Sequence, residues 1–174
     1  FYDFSKDSSD RGERVVGKFD NADRKIIGDV SFISDTSVVA VAENSVTYYS
    51  FKGSPSEEKK IPIEGEISKV IWGDKKFALI RPSGKDSEPN RITVYNAGGG
   101  KVGDRNFSSE YSSYYISDKN IIMRGAHAFA VMDFSGKFIT QQNVDNNIVA
   151  FLSNGGKSRY FLINERYIQR IKLK

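Results

Sequence analysis

Cysteine is missing from the chain, and histidine, tryptophan and methionine are scarce, with one, one and two copies in 174 residues. Without cysteine there is no disulfide, no thiolate metal site and no cysteine nucleophile. Because His127 is the only histidine, a histidine-based metal centre or proton shuttle lacks the partners that such chemistry needs. We therefore expect no metal and no cofactor, and these residue types predict no catalytic residue.

Long apolar runs are also missing, since no stretch approaches the ~18 residues that a membrane helix needs. No secretory signal pattern is visible. The chain begins at Phe1 inside a strand-like pattern, which we interpret as the start of a fragment of a longer protein. Contact with a membrane is therefore expected only through a helix upstream of this chain.

Aromatic and branched residues are abundant. Hydrophobic residues make up 39% of the chain and aromatic residues 13%, with nine Tyr and twelve Phe. This supply of core residues argues against disorder, and the aromatic and β-branched bias favours strands over helices.

A short apolar strand that ends in a tight polar turn recurs four times. The turn residues Asp35, Asp74, Asp118 and Asn154 are separated by 39, 44 and 36 positions. Asp and Asn suit such turns because their side chains bond to nearby backbone. A period of about forty residues is typical of propeller blades.

Three further strands follow each turn. The second strand is almost wholly apolar, as expected of a strand buried on both faces, and its copies are 38–41, 77–80, 120–123 and 159–163. The third ends in a hairpin whose positive φ glycine adopts easily, in the segments 47–53, 94–101 and 131–137. A weaker fourth strand follows at 60–63, 102–107 and 137–140.

Four short antiparallel strands per repeat predict an all-β chain of the β-propeller class, with about four four-stranded blades. The predicted blades span 28–64, 66–107, 111–144 and 147–173, the last with three strands. Two outer strands are predicted within residues 1–19, at 1–4 and 13–19. We expect residues 1–174 to form one propeller segment.

Such a segment needs completion, because blades bury their faces only against neighbouring blades. The N-terminal strand at 14–19 would close a four-bladed ring by joining the last blade. Alternatively, a second copy would form a homodimeric eight-bladed ring, or missing upstream blades would make this chain half of a seven- or eight-bladed ring.

The blades lack the Gly-His and Trp-Asp marks of WD40 repeats, and the hairpin at 133–137 is similar to that of quinoprotein blades. Three segments, Ala40–Asn44, Val94–Asn96 and Tyr167–Lys174, resemble a domain family of unknown function from Gram-positive bacteria. Those proteins look like a short cytoplasmic start, one membrane helix and an external β-propeller, of which this chain resembles the C-terminal half. The resemblance implies a place on the extracellular face of the cell membrane and no assigned activity.

Two patterns with a nominal functional meaning are better explained by strands. The segment Gly98–Gly103 matches the dinucleotide fingerprint, but no helical pattern follows it, so we interpret it as a hairpin. Residues 157–174 carry six cations against one acid, and these charges alternate along the chain as they do on the solvated face of a strand. Nucleic acid is therefore not the expected partner.

Candidate binding residues lie between the second and third strands of the blades, at turns expected to share one rim. The segment Arg81–Arg91 is the longest insertion. Ligands bind on loops held by rigid scaffolds, while the alternative interpretation is a flexible solvent loop. The predicted binding residues are Asn44, Arg81, Lys85, Arg91, Arg124, His127 and Asn164.

Two functions stay open. The first is a non-enzymatic binding or scaffolding propeller on the bacterial cell surface, with a protein or another cell-surface ligand as its partner. The alternative is a carbohydrate-active or other hydrolase or lyase with its site on the propeller channel, because a fold does not exclude activity. Carboxylates and arginines clustered at the channel would favour the enzyme, and an apolar or aromatic rim patch would favour the scaffold.

Overall fold

The computed structural model describes residues 26–108, 110–117, 119–154 and 159–173. Within these ranges the chain is all-β and forms fifteen strands. They are β1 (Ile27–Ser34), β2 (Ser37–Ala42), β3 (Ser45–Ser50), β4 (Ser56–Pro62), β5 (Lys69–Gly73), β6 (Lys76–Pro82), β7 (Asn90–Asn96), β8 (Lys101–Phe107), β9 (Ser113–Ser117), β10 (Asn120–Arg124), β11 (Ala128–Asp133), β12 (Phe138–Asn143), β13 (Ile148–Ser153), β14 (Arg159–Asn164) and β15 (Ile168–Lys172).

The strands form four antiparallel sheets, and every hydrogen-bonded pair joins strands that are consecutive in the sequence. The sheets β1–β4, β5–β8 and β9–β12 have four strands each, and the last sheet, β13–β15, has three. The predicted all-β blade architecture is thereby confirmed. The strands predicted within residues 1–19 lie outside the described residues.

Side-chain bonds to backbone close the hairpins between third and fourth strands. Asn96 Oδ1 accepts a hydrogen bond from Gly100 N at 2.8 Å. Asp133 Oδ1 likewise accepts bonds from Ser135 N at 2.9 Å and Lys137 N at 3.0 Å. The glycine-rich segment after β7 is therefore a hairpin turn, as its repeat position predicts.

The chain divides into two compact units. Of the described residues, 26–66 with 97–99 form the first, and those within 67–96 and 100–173 form the second. In the first unit the apolar side chains of β2 and β3 are buried, including Val38, Val39, Val46 and Tyr48. The single domain expected over residues 1–174 stays a prediction.

Two apolar clusters hold the second unit together. Ile80 and Ile92 of the β5–β8 sheet pack with Met123 and Met132 of the β9–β12 sheet. The β9–β12 sheet in turn packs on the last sheet through a second cluster. There Phe129 stacks on Phe151, with ring centroids 4.4 Å apart.

Glycine permits two close backbone approaches in the second unit. A Cβ on Gly103 of β8 would collide with the carbonyl oxygen of Phe134, in the hairpin between β11 and β12. A Cβ on Gly125 would collide with the carbonyl oxygen of Glu110. The β5–β8 and β9–β12 sheets therefore meet through backbone at Gly103, while the approach at Gly125 lies within the β9–β12 repeat, because Glu110 lies just before β9.

Strand β14 differs from the expectation for second strands. The equivalent second strands of the two preceding blades, β6 and β10, are buried through their centres. In β14, by contrast, Tyr160 and Leu162 are buried while Phe161 and Ile163 are only half-buried. The physical reason is that only one face of the last sheet packs in the apolar cluster with the β9–β12 sheet.

Candidate functional site

The long insertion between β6 and β7 is held by its own hydrogen bonds. Ser83 N donates to the carbonyl oxygen of Pro89 at 2.8 Å, and Lys85 N donates to Ser83 Oγ at 3.0 Å. Ser83 Oγ in turn donates to the carbonyl oxygen of Glu88. These bonds fix the path of the loop and so the positions of Lys85 and Glu88.

An ion pair lies beside this loop on β7 and β8. Arg91 Nε donates to Asp104 Oδ1 at 2.8 Å, and Arg91 Nη2 donates to Oδ2. Thr93 Oγ1 donates to Asp104 Oδ1 at 3.1 Å, and Lys101 Nζ lies 3.6 Å from Oδ2. The carboxylate of Asp104 is thus surrounded by donors.

These contacts determine the protonation of Asp104. The hydrogen bonds from Arg91 hold the pKa of its carboxyl below the usual range, and they outweigh the opposing effect of burial. A carboxylate held ionised near neutral pH does not serve as a general acid. The pair also lies at the β8 edge of its sheet, the edge opposite β5.

Two open cavities adjoin β8. The first, which we call the loop cavity, has a volume of about 490 Å³ and is lined by Ser83, Lys85, Glu88, Arg91, Asp104, Arg105 and Asn106. The second, which we call the hairpin cavity, has a volume of about 440 Å³ and is lined by Asp104, Arg105, Ser135, Gly136, Lys137 and Phe138. Asp104 and Arg105 line both cavities, but as adjacent strand residues they direct their side chains to opposite faces of the sheet, so the two cavities are separate.

Arg105 lies against β12. Its guanidinium carbon lies over the Phe138 ring, 5.5 Å from the centroid, which is a cation–π contact. Lys76 Nζ lies over the Phe134 ring in the same way at 4.8 Å. The hairpin between β11 and β12 thus orients cations that come from the neighbouring sheet.

The predicted site residues Arg124, His127 and Asn164 come together around the connection between β12 and β13. Arg124 Nη1 donates to the carbonyl oxygens of Ile148 and Val149, at 2.9 and 2.6 Å. The carbonyl oxygen of His127 accepts a bond from Val144 N at 2.8 Å. Asn164, which pairs with Ile148 across β13 and β14, is buried, and the His127 side chain is exposed.

The other predicted site residues lie in three different settings. Asn44 is exposed in the turn between β2 and β3, and Lys85 lies in the insertion. Arg81 and Arg91 are strand residues that face each other across β6 and β7. Of these seven residues, Lys85 and Arg91 line the loop cavity, and all seven stay predictions as binding residues.

Sequence reasoning missed Asp104, Arg105 and Lys137. The position of Asp104 could have been inferred from the predicted hairpin, because a hairpin at 97–100 fixes the strand register that places Asp104 opposite Thr93. The proximity of Lys137 to β8 depends on the close approach at Gly103, which no strand pattern reveals.

A different kind of surface lies on the last sheet. Leu152 and Ile168 are 47% and 68% exposed, and they share a face of the sheet with the half-buried Phe161 and Ile163. We call this surface the open face. Arg170 and Lys172 of β15 lie on the same face, so its exposed apolar side chains form a patch with a cationic border, and such a patch marks an interaction site more often than isolated exposed apolar residues do.

Two other features are absent from the part of the chain that the structure describes. No group of three or more His, Asp or Glu side chains is placed to hold a metal ion. No helix there is long and apolar enough to cross a membrane.

Solved structures with the same arrangement of strands show the fold. The chain is similar to the computationally designed Ika4 protein, with a TM-score of 0.56 and 12% identity over 87% of this chain and 93% of that one. It is similar to BBS1N, crystallised in complex with ARL6DN, with a TM-score of 0.51 and 11% identity over 83% of this chain and 49% of that one. Hsv2p of Kluyveromyces lactis gives a TM-score of 0.51 and 9% identity, over 85% and 46%.

The chain therefore spans most of the designed protein but about half the length of BBS1N and Hsv2p. At these identities the likeness shows the fold alone, which is the β-propeller class. No curated protein matches the sequence. Residues 1–173 match one protein family, and the chain belongs to it: the family of unknown function DUF5711.

Proposed function

We propose that this chain is a non-enzymatic scaffold of the bacterial cell surface that binds protein through the open face of its last sheet. The observation that carries the proposal is the exposure of Leu152 and Ile168 on that face, 47% and 68%. Burying such side chains against a partner contributes roughly 25 cal/mol per Å² of apolar area. The face is a sheet surface, so it suits another sheet better than a small ligand.

The occupant is a second copy of this chain. Strand β1 of the first unit also carries exposed apolar side chains, with Val30 at 50% and Phe32 at 61%. If two copies are related by a twofold rotation, β1 of each copy contacts the open face of the other, and the assembly closes as a dimer. This chain covers 49% of BBS1N and 46% of Hsv2p, two structurally similar proteins. A ring built from two copies of this chain would therefore have about the length of those proteins.

The edge of the last sheet supports the same proposal. Among the described residues, β15 pairs only with β14 and forms an edge of a three-stranded sheet. Edge strands offer unpaired backbone groups to another chain. The ring would thus be completed by backbone pairing and by apolar packing together.

The test is the mass of the protein in solution, measured by light scattering over a range of concentrations. We expect a dimer for the native chain and a monomer for the double variant Leu152→Glu/Ile168→Glu. The matched control is Ile139→Glu, which changes a side chain of 41% exposure on β12 and leaves the dimer intact. A native chain that stays monomeric at every concentration overturns the proposal.

The occupant is tested separately from the surface. Hydrogen exchange of β15 in the native protein is expected to speed up on dilution, because a second copy leaves when the dimer dissociates. Protection that does not change with concentration would mean that the chain's own residues cover the face, which contradicts the second copy.

The proposed location is the outer face of the cell membrane, where an upstream helix would anchor the protein. The support is the resemblance to membrane-anchored propellers stated above. Protease treatment of intact cells that express the full-length protein tests it. We expect loss of the propeller without lysis, and a propeller that survives until the cells are lysed contradicts the location.

A further inference from the structure

We propose that the contact between two copies repeats the contact between consecutive sheets within the chain, with Arg159 of one copy over the ring of Phe51 of the other. The inference rests on the proposed function, because it assumes that a second copy covers the open face. It adds the direction and the register of that contact, and it makes the dimer sensitive to salt.

The pattern comes from the contact between the β5–β8 and β9–β12 sheets. Lys76, the first residue of β6, places its Nζ over the ring of Phe134, 4.8 Å from the centroid. Phe134 directly follows the last residue of β11. The two sheets run in the same direction, since Gly73 at the end of β5 lies against Ile116 near the end of β9. A cation at the start of a second strand thus meets an aromatic ring just after the third strand of the next sheet.

Both halves of this pattern recur at the two ends of the chain's series of sheets. Arg159 is the first residue of β14, the second strand of the last sheet. Because side chains alternate along a strand, Arg159 lies on the same face as Phe161 and Ile163, which is the open face. Phe51 directly follows the last residue of β3, the third strand of the first sheet. Arg159 and Phe51 therefore hold the positions of the cation and the ring in the internal contact.

Burial agrees with this correspondence. Lys76 is half-buried in its contact, whereas Arg159 is exposed, because only one face of its sheet packs in an apolar cluster. Phe51 is half-buried, and its backbone N donates to the carbonyl oxygen of Thr36 at 2.7 Å. This bond fixes the backbone that carries the ring. A guanidinium gains more from such a ring when a partner excludes water than it does at an exposed site.

The open face carries its charge at one end. Arg159, Arg170 and Lys172 lie together at the end nearest the turn between β13 and β14, and Ile163 and Ile168 lie at the opposite end. No carboxylate shares this face among the residues that the structure describes. Burial of cations without partners is costly, so the surface that covers this end must supply an aromatic ring or a negative charge.

The first sheet supplies both at one hairpin. Glu57 pairs with Tyr49 across β3 and β4, next to the hairpin that begins at Phe51. The register from β4 to β1 places Glu57 on the face that carries Phe32. Lys60 lies on this face too, farther from the hairpin. If the sheets of the two copies run in the same direction, the cationic end meets Glu57, whereas in the reverse direction it would meet Lys60 and like charges would face each other.

A double-mutant cycle tests the contact between Arg159 and Phe51, with dimer dissociation constants measured by light scattering. Arg159→Gln and Phe51→Leu are each expected to weaken the dimer about three- to thirtyfold, the effect of losing a cation–π contact. The double variant is expected to stay within about twofold of the weaker single variant, because the same contact is lost only once.

Two further variants are the controls of this cycle. Arg159→Lys should keep the dissociation constant within about threefold of the native value, since Lys76 makes the same contact inside the chain. Lys119→Gln changes an exposed cation in the turn between β9 and β10 and should stay within about twofold. Circular dichroism of each variant establishes that its sheets are intact.

An exchange of charges tests the direction of the contact. Arg170→Glu and Glu57→Arg are each expected to weaken the dimer about tenfold, because each sets like charges against one another. The chain that carries both changes is expected to return to within about threefold of the native dissociation constant, since each copy then meets the exchanged pair. The native dimer is expected to weaken as salt rises.

Three results would overturn this inference. They are additive losses in the cycle, an exchange of charges that does not restore the dimer, and a dissociation constant that does not change with salt. In each of these cases the native chain is still a dimer, so the proposed function stands. A native chain that stays monomeric overturns the proposed function and this inference together.

Discussion

Gly103 of β8 lies so close to the backbone of Phe134 that a Cβ at this position would collide with the carbonyl oxygen of Phe134. The contact joins the edge strand of one sheet to a hairpin of the next. It also fixes the width of the hairpin cavity, whose lining comes from both sides.

Substitution of this glycine tests the contact. Gly103→Ala is expected to lower the free energy of unfolding by about 1–3 kcal/mol, because the added methyl group forces backbone apart. The measurement is urea-induced unfolding followed by circular dichroism. Gly28→Ala is the matched control in β1, where a Cβ would meet its nearest atom at an ordinary 3.8 Å. A cost for Gly28→Ala equal to that for Gly103→Ala would contradict the role of the close approach.

The Asp104 carboxyl should make stability depend on acid pH. Hydrogen bonds from Arg91 lower the pKa of this group in the folded protein, so its contribution is present above the unfolded pKa and is lost as pH falls through the folded pKa. We expect Asp104→Asn to be less stable than the native chain by about 1 kcal/mol at pH 7, and this difference in stability to narrow as pH falls below the ordinary pKa of an aspartate side chain. The midpoints of urea-induced unfolding of both proteins, at pH 7 and pH 3, measure this difference in stability. A difference that is the same at both values contradicts the assignment.

Asp133 holds the hairpin between β11 and β12 through one oxygen. Burial raises the pKa of Asp133, but hydrogen bonds from Ser135 and from the backbone of Lys137 outweigh it and leave the pKa lowered. Asp133→Ala removes all of these bonds and is expected to cost about 1–3 kcal/mol. Asp133→Asn keeps an acceptor oxygen and should cost less. The free energies from denaturant unfolding compare the two, and equal costs would mean that the hydrogen bonds are not the cause.

The stack of Phe129, Phe151 and Tyr160 carries the contact between the β9–β12 sheet and the last sheet. The ring centroids of Phe151 and Tyr160 lie 5.4 Å apart, and Phe151 is 1% exposed. Phe151→Ala is expected to cost about 3–5 kcal/mol, because it leaves a cavity in a dry core. Val149→Ala, at a position in the same strand that is 57% exposed, is the control and should cost less than about 1 kcal/mol. Thermal unfolding distinguishes them.

The strands and their order were predictable because each repeat has turn-forming residues at equivalent positions. Asp35 and Asp74 end their first strands with polar turns, and glycine closes each third strand at Gly53, Gly99 and Gly136 with positive φ. These signals are local, so they can be recognised without knowledge of the tertiary contacts.

The sites were less predictable because they depend on contacts between repeats. Residues 159–163 are as apolar as the second strands of the other repeats, yet Phe161 is half-buried because only one face of its sheet packs. Arg105 is one of many surface cations in the sequence, and its position over the Phe138 ring follows from where the next hairpin packs.

The pairing of consecutive strands alone has a consequence for how the chain folds. The strands of each sheet are joined by short loops, so the residues that pair are close in the sequence. The chain therefore loses little conformational entropy before the first strand pairs form. Strand pairing within a blade can therefore begin before the blades pack together, although the burial of each blade's apolar faces still needs its neighbours. The contacts between sheets, which arise later, include those at Gly103 and Phe151, and we expect substitutions there to speed unfolding more than they slow folding.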